Sequence, residues 1–194
     1  MPPSTRDILS RQHSRANHSA HKGIMAIEGS YQWWRENYTT NTEFQRVCGV
    51  LQGHGVDCTE VEIDHFPPNA AYTGSSFERL LPYAARPSLP LPKYLHRFQS
   101  GGGGMGGHAS TTGSTFVAKR WTPELKAQMV AGNFHGAMKQ DIIDKKNVAL
   151  SATYGQDRKL FNALMVPAVQ LVHQLDMISD VEFYDLLNDL GVFG

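Results

Sequence analysis

The sequence predicts an α+β domain that is mostly helical and contains a short β-strand near its middle. In the last third of the chain, apolar residues recur every three or four positions, which is the spacing of an amphipathic helix. Val61, Glu62 and Ile63 instead alternate between apolar and polar, as in a strand that is buried on one face. A length of 194 residues is enough for one domain with a substantial core.

The first 23 residues differ from the rest of the chain in their low content of large apolar side chains. Residues 1–23 contain almost no large apolar side chains, so we expect a flexible arm or linker there. Residues 24–194 are expected to form a single domain, with Trp33 and Trp34 as early anchors of its core. Neither a signal peptide nor an apolar run of membrane-spanning length is visible, so no membrane partner is expected.

Capping residues, prolines and glycines set the expected ends of the helices. Two short helices are expected in the first half of the chain, one capped by Thr40 or Asn41 and ending near residue 52, and one capped by Ser75 or Ser76 and ending at 81. Four more are expected in the second half: one starting at Thr122-Pro123-Glu124, one from Asn133 to Lys145, one over about 156–178, and one over 181–190 that is capped by Asp180. The glycine-rich run at 101–107 is expected to be a loop, because ordering glycines costs the most backbone entropy.

Charge is unevenly distributed along a chain whose formal net charge is zero. Residues 86–126 contain six basic residues and one acidic residue, whereas residues 176–189 contain five acidic residues and no basic one. The zero total gives no bulk attraction to nucleic acid, but the central segment predicts a basic face. A solvated surface of mixed charge is the alternative interpretation.

The chain contains two cysteines, Cys48 and Cys58. Two cysteines do not form a disulfide framework, and neither belongs to a Cys-x-x-Cys pair, so a zinc site built on thiolates is not expected. One bridge between them and two buried thiols are both compatible with the sequence.

An acid and a histidine lie side by side where the predicted strand must stop. Asp64 and His65 follow Ile63, and Pro67 and Pro68 then prevent the strand from continuing. Neighbouring side chains of a strand diverge, so one can bind a metal while the other faces a substrate. Phosphodiester hydrolysis needs this division, and His96 is the best candidate for a further metal ligand. The alternatives are an Asp-His turn pair and a half-buried structural histidine.

Three segments of the sequence together resemble a known family. DHFPPNAA is followed by LPKYLHRFQS and then by STTGST. The pattern resembles the HNH/endonuclease VII superfamily (ββα-metal or His-Me finger nucleases), and within it bacterial polymorphic-toxin nuclease domains with an Asp-His-x-Pro core. The resemblance covers about residues 60–144, and its matched positions are Asp64, His65 and Pro67, then Leu91, Pro92, His96 and Ser100, then Thr111, Thr112 and Gly113.

The resemblance implies a small ββα-metal finger, a β-hairpin plus a helix that hold one divalent ion. His65 would be the general base, Asp64 and His96 would be metal ligands, and either His96 or His108 would complete the site. Carboxylate and imidazole ligands suit Mg²⁺, Mn²⁺, Zn²⁺ and Ni²⁺ alike. The chain departs from the family pattern in two ways: the run at 101–107 is longer than expected, and prolines conceal the second strand.

The function that the resemblance implies is a metal-dependent, sequence-nonspecific endonuclease that acts on DNA as an antibacterial-type toxin or effector. Such a toxin needs a cognate immunity protein and reaches the target-cell cytoplasm through a secretion apparatus or as part of a larger carrier. Arg97, Lys119 and Arg120 are the candidate phosphate contacts. The rival from another class is a non-catalytic helical binding or assembly module.

Overall fold

The computed structural model describes residues 23–96 and 116–193, and it gives side chains in the second segment from residue 123 onward. The fold is α+β and mostly helical, as the sequence predicts. The described helices are α1 (Tyr31–Asn37), α2 (Thr42–Gly53), α3 (Asn69–Tyr72), α4 (Ser76–Leu80), α5 (Lys93–His96), α6 (Phe116–Val130), α7 (Phe134–Ala152), α8 (Asn162–Gln174) and α9 (Asp180–Asp189), with 3-10 turns at Tyr38–Thr40 and Tyr83–Ala85.

Two antiparallel strands form the sheet that the described residues contain. Strand β1 is Val61–His65 and strand β2 is Ser88–Pro92, with Asp64 opposite Leu89. The sequence predicted a strand at Val61–Ile63, and the structure extends it through His65. The second strand is the one that the prolines concealed.

Strand β2 accommodates its prolines because they occupy alternate positions. Pro90 and Pro92 alternate with Leu89 and Leu91, and the next residue in phase with the leucines, Lys93, donates its amide hydrogen to the Glu60 carbonyl at 2.8 Å. The prolines therefore lie where the strand needs no donor toward β1. Helices α1 and α8 pack against β2, and every residue of the strand is buried.

Several predicted helix ends differ from the observed ones. Helix α6 begins at Phe116 and contains Pro123 in its interior, so the predicted start at Thr122 was wrong. The longest described helix is α7, which continues seven residues past the predicted end to Ala152. The predicted helix over 156–178 is shorter and spans Asn162–Gln174.

Local backbone geometry explains two of these ends and one cap. Tyr154 takes a φ of 55° directly after the Thr153 cap of α7, and Asp176 takes a φ of 52° directly after the Leu175 cap of α8; both values lie in the left-handed region that terminates helices. The cap of α9 is Ser179, one residue before the predicted Asp180. Ser179 and Glu182 form a reciprocal capping box, in which each side chain bonds the other's backbone amide.

The structure describes both cysteines but not all of the segments that were expected to be irregular. Cys48 and Cys58 are free thiols, and Cys58 Sγ lies 3.8 Å from the Cys48 carbonyl oxygen. Within the described ranges, no helix combines the length and apolar character that a membrane crossing would require. The expected arm at 1–23, apart from its last residue, and the glycine-rich run at 101–107 lie outside the described residues.

Candidate functional site

Strand β1 directs Asp64 and His65 to opposite sides of the two-stranded sheet. Asp64 is 3% exposed and contacts His96 and Lys145. His65 is 4% exposed and contacts the rings of Tyr31 and Tyr83. The two-residue period of a strand produces this separation, so the adjacent side chains occupy chemically different surroundings.

Helix α5 brings His96 to Asp64. The helix follows β2 without a gap, and His96 Nε2 lies 3.3 Å from Asp64 Oδ1. On the same face of β1, Glu62 Oε2 accepts a hydrogen bond from His96 Nδ1 at 2.5 Å. The imidazole is therefore held between two carboxylates that are two residues apart on one strand. Glu62 was not among the predicted site residues, although its position two residues before Asp64 already placed both on one face of the strand.

The spacing of Asp64 and His96 fits a pair of ligands to one cation. Two donors that each lie about 2.1 Å from an ion, at an angle between 90° and tetrahedral, are separated by roughly 3.0–3.4 Å. The observed 3.3 Å lies in that range. The hydrogen bond from Nδ1 to Glu62 leaves Nε2 as the nitrogen for coordination, an arrangement that commonly orients metal-binding histidines.

A full ligand set is not assembled by the described residues alone. Among them, no three His, Cys, Asp or Glu side chains are placed to share one metal ion. His108, the alternative ligand from the sequence analysis, lies outside the described residues. Asp64 and His96 would therefore supply two protein donors to an ion, and their chemistry and spacing are compatible with a divalent one.

A buried lysine from α7 contacts the other oxygen of Asp64. Lys145 Nζ lies 2.9 Å from Asp64 Oδ2 and 3.0 Å from Asp141 Oδ2, and the Lys145 side chain is fully buried. Burial alone would lower the pKa of Lys145, but the negative charges of Asp141, Asp64 and Asp144 outweigh it and raise the pKa. Lys145 is thus a permanent cation that fixes Asp64. Lys145 was not among the predicted site residues, although Asp141 and Lys145 have the spacing of a helical ion pair.

The carboxylates around His96 shift its protonation equilibrium. Burial lowers the pKa of His96, but the charge of Asp64 and the hydrogen bonds to Asp64 and Glu62 overcome this effect, so the pKa is raised overall. Without a metal, the proton on Nε2 is the natural partner of Asp64. A cation that binds through Nε2 would take the place of that proton.

His65 lies in the opposite electrostatic situation. Burial lowers its pKa to about 4, partly opposed by the hydrogen bond to Tyr83 and by the charge of Asp64. Nε2 donates to the Tyr83 carbonyl oxygen at 3.1 Å, because a carbonyl can only accept, and Nδ1 therefore carries the lone pair. The ring stacks on Tyr31, with centroids 4.8 Å apart and planes 6° from parallel. His65 is thus a neutral imidazole in a fixed tautomer near pH 7.

A cleft of about 600 Å³ lies beside these residues, between α1 and β1. It is lined by Tyr31, Arg35, Tyr38, Val61, Glu62, Ile63, Tyr83 and His96. His96 thus connects the cleft to Asp64, while His65 lies against two tyrosines of the cleft wall without lining the cleft itself. The volume lies within the range of about 300–1,000 Å³ that is typical of small-ligand pockets.

The structure shows only part of the basic segment at residues 86–126 with its side chains. Arg86 of the basic segment is buried, lies 4.3 Å above the Tyr72 ring and donates to the Leu81 carbonyl, so it adds nothing to a basic face. The side chains of the three candidate phosphate contacts, Arg97, Lys119 and Arg120, lie outside the described part of the chain.

The acidic segment is largely compensated by neighbouring helices. His173 pairs with Asp180 at 2.8 Å, and Lys139 pairs with both Asp185 at 2.7 Å and Asp189 at 3.2 Å. These contacts make the segment part of the helical packing. His135 of α7 also contacts Asp185, at 2.7 Å, so the histidines of α7 and α8 both have carboxylate partners in the helical packing.

Comparison of the chain with known proteins and structures identifies no relative. No protein-family model matches the chain, and it has no significant match among curated proteins or solved structures. The resemblance to HNH nucleases therefore depends on the three sequence segments DHFPPNAA, LPKYLHRFQS and STTGST alone.

Proposed function

We propose that the chain is a metal-dependent endonuclease in which Asp64 and His96 hold a divalent ion and His65 acts as the general base. The observation that carries the proposal is the 3.3 Å approach of His96 to Asp64 across two elements that both come from the matched motifs. The neighbouring His65 faces the other way, which gives the site two separate chemical environments.

The chain's own residues would hold the ion in a fixed geometry. Asp64 contributes Oδ1 while Lys145 holds Oδ2, and His96 contributes Nε2 while Glu62 holds Nδ1. Each proposed ligand is thus oriented by a second side chain, which lowers the entropy lost on binding. The bound ion would supply positive charge to the phosphate and its leaving oxygen.

His65 would accept the proton of the attacking water through Nδ1. Its fixed neutral tautomer leaves the lone pair on Nδ1, but the ring is buried on the side of β1 away from Asp64 and does not line the cleft, so proton transfer requires its contacts with Tyr31 or Tyr83 to open when the substrate binds. A pKa of about 4 makes it a weak base in the free protein. The proposal therefore requires that the negative phosphate, once bound, favours the imidazolium that forms.

We propose further that the nuclease acts on DNA without sequence specificity, as an antibacterial-type effector with a cognate immunity protein. The resemblance to polymorphic-toxin domains supports this part. Expression in bacteria without an inhibitor should stop growth and degrade the chromosome, whereas His96→Ala should be tolerated. Normal growth with high levels of folded wild-type protein would contradict the toxin role.

The second candidate function is a non-catalytic helical binding or assembly module. The ion pair of Lys145 with Asp64 and the hydrogen bond of His65 to Tyr83 favour it, because both give the motif residues structural roles. In such a module the Asp-His pair would stabilise the sheet. Neither added metal nor its removal would then change stability or produce cleavage.

The discriminating experiment incubates purified protein with plasmid DNA and with RNA, with Mg²⁺, Mn²⁺, Zn²⁺, Ni²⁺ or EDTA. A nuclease should cleave only with metal, and the same metal should raise its melting temperature reversibly. His96→Ala should lose both effects, while His173→Ala, which removes a partly exposed histidine–aspartate pair elsewhere, should keep them. Metal-independent behaviour of the wild type in both assays would exclude the proposal.

A further inference from the structure

The cleft beside His96 contains an unusual group of aromatic side chains. Tyr31, Tyr38 and Tyr83 line it, and Arg35 from the same helix as Tyr31 adds a guanidinium. Tyr83 is 49% exposed despite its size. Exposed aromatic rings beside a cation are the recurring components of sites that bind unpaired nucleotides.

Two aromatic rings, those of Tyr31 and His65, pack against one side of Tyr83. Its ring meets Tyr31 edge-on at 4.7 Å and His65 at 4.3 Å, and Tyr31 in turn stacks on His65. Burial and the hydrogen bond with Tyr31 raise the pKa of Tyr83 to about 12, so its phenol stays neutral and does not repel phosphate. A rigid, neutral ring with half its surface exposed is suited to stacking.

The charged groups of the cleft allow a nucleotide to enter. Arg35 is exposed and its guanidinium carbon lies 5.9 Å from the centroid of Tyr31. The carboxylate in the wall, Glu62, accepts a hydrogen bond from His96 Nδ1. A phosphate near Arg35 would therefore meet the guanidinium, while the Glu62 carboxylate is already engaged by a donor.

We infer that this cleft is a stacking subsite for an unpaired nucleotide next to the scissile phosphate, so that the preferred substrate is single-stranded or locally unpaired nucleic acid. The inference rests on the proposed nuclease function. A base within a duplex has both faces covered by its neighbours, so Tyr83 can stack only on a base that has left the helix. Base stacking tolerates any sequence, which agrees with nonspecific cleavage.

The test measures binding apart from cleavage. Fluorescein-labelled short single-stranded DNA, single-stranded RNA and blunt duplex DNA of the same sequence are titrated with the protein in EDTA, and anisotropy is recorded. We expect tighter binding to the single strands. Tyr83→Ala should weaken single-strand binding about 5- to 100-fold, and Tyr83→Phe should bind like the wild type. Tyr184→Ala, which removes an exposed tyrosine of α9, is the matched control.

The outcomes separate the subsite from the enzyme. Equal binding of single strands and duplex with no effect of Tyr83→Ala, together with metal-dependent plasmid cleavage, overturns the subsite and leaves the nuclease proposal standing. Absence of both binding and cleavage overturns both. Unchanged circular dichroism and melting temperature of Tyr83→Ala show that a loss of affinity comes from the missing ring. The difference between the DNA and RNA arms identifies the preferred sugar.

Discussion

Lys145 offers the sharpest test of the electrostatic structure around Asp64. The side chain is fully buried and its ammonium group contacts buried oxygens of Asp64 and Asp141. Lys145→Met keeps the length and the helix propensity but removes the charge, and leaves buried carboxylates without this partner. Breaking a buried pair in this way typically costs about 3–5 kcal/mol of unfolding free energy.

The matched control lies on the same helix. Lys139→Met removes two ion pairs whose members are 39%, 37% and 30% exposed. Exposed ion pairs contribute roughly 0.2–1 kcal/mol each, because water screens them and the side chains lose entropy. The helix and the residue types are the same in both variants, so burial is the main variable that differs.

Urea denaturation followed by circular dichroism measures both variants. We expect a much larger loss for Lys145→Met, and a smaller loss at pH 5 than at pH 8, because protonation neutralises carboxylates that have lost their cation. Asp141→Leu combined with Lys145→Met should lose less than the sum of the two single changes. A loss for Lys145→Met as small as that for Lys139→Met, at both pH values, would refute the reasoning.

Three further predictions concern the two faces of β1. Asp64→Asn should lose metal binding and cleavage together, whereas His65→Gln should keep metal binding by calorimetry and lose about 10²- to 10⁴-fold in cleavage rate; equal failure of the two variants would contradict the division of roles. Glu62→Gln should weaken metal affinity about 10- to 100-fold, and unchanged affinity would show that it does not orient His96. The pKa of His65 is about 4 in the folded protein, well below the value of 6.5 for an unfolded chain. Between these two pH values His65 is protonated in the unfolded state but not in the folded state, so the free energy of unfolding should fall by at most about 3 kcal/mol as the pH is lowered through this window. His65→Phe should remove this contribution to the loss of stability at low pH. His96, whose pKa is raised, stabilises the folded state as the pH falls, and it does so equally in the wild type and the variant. An identical pH profile of stability in the two proteins would show that His65 is not buried as a neutral ring.

Local signals in the sequence predicted the features that depend on local physics. The Asn41 cap and the helix that follows are confirmed, because a cap and a terminating glycine act within a few residues. Strand β1 is confirmed for the same reason, since its alternation is visible in three residues. The two-stranded antiparallel hairpin is confirmed as well, but the position of β2 was not predicted, because its two prolines oppose a strand unless the partner's register is known.

The residues that surround the motif could not be found in this way. Glu62 and His96 are 34 positions apart, and Lys145 reaches Asp64 from a helix still further along the chain. Only tertiary packing brings these groups together. Their sequence positions carried weak signals, such as an alternating acid and a helical Asp-Lys pair, but these patterns are equally common on solvated surfaces.

The two histidines of the site show how one short strand can create opposite acid–base environments. His65 lies against two tyrosine rings, where burial lowers its pKa to about 4. His96 lies on the other side of β1 between Glu62 and Asp64, where the carboxylates raise its pKa despite burial. Pairs of titratable groups with pKa values driven apart are typical of sites that divide acid–base roles between neighbours. The separation depends on the two-residue period of the strand, so a shift of β1 by one residue would exchange the two environments and abolish the site.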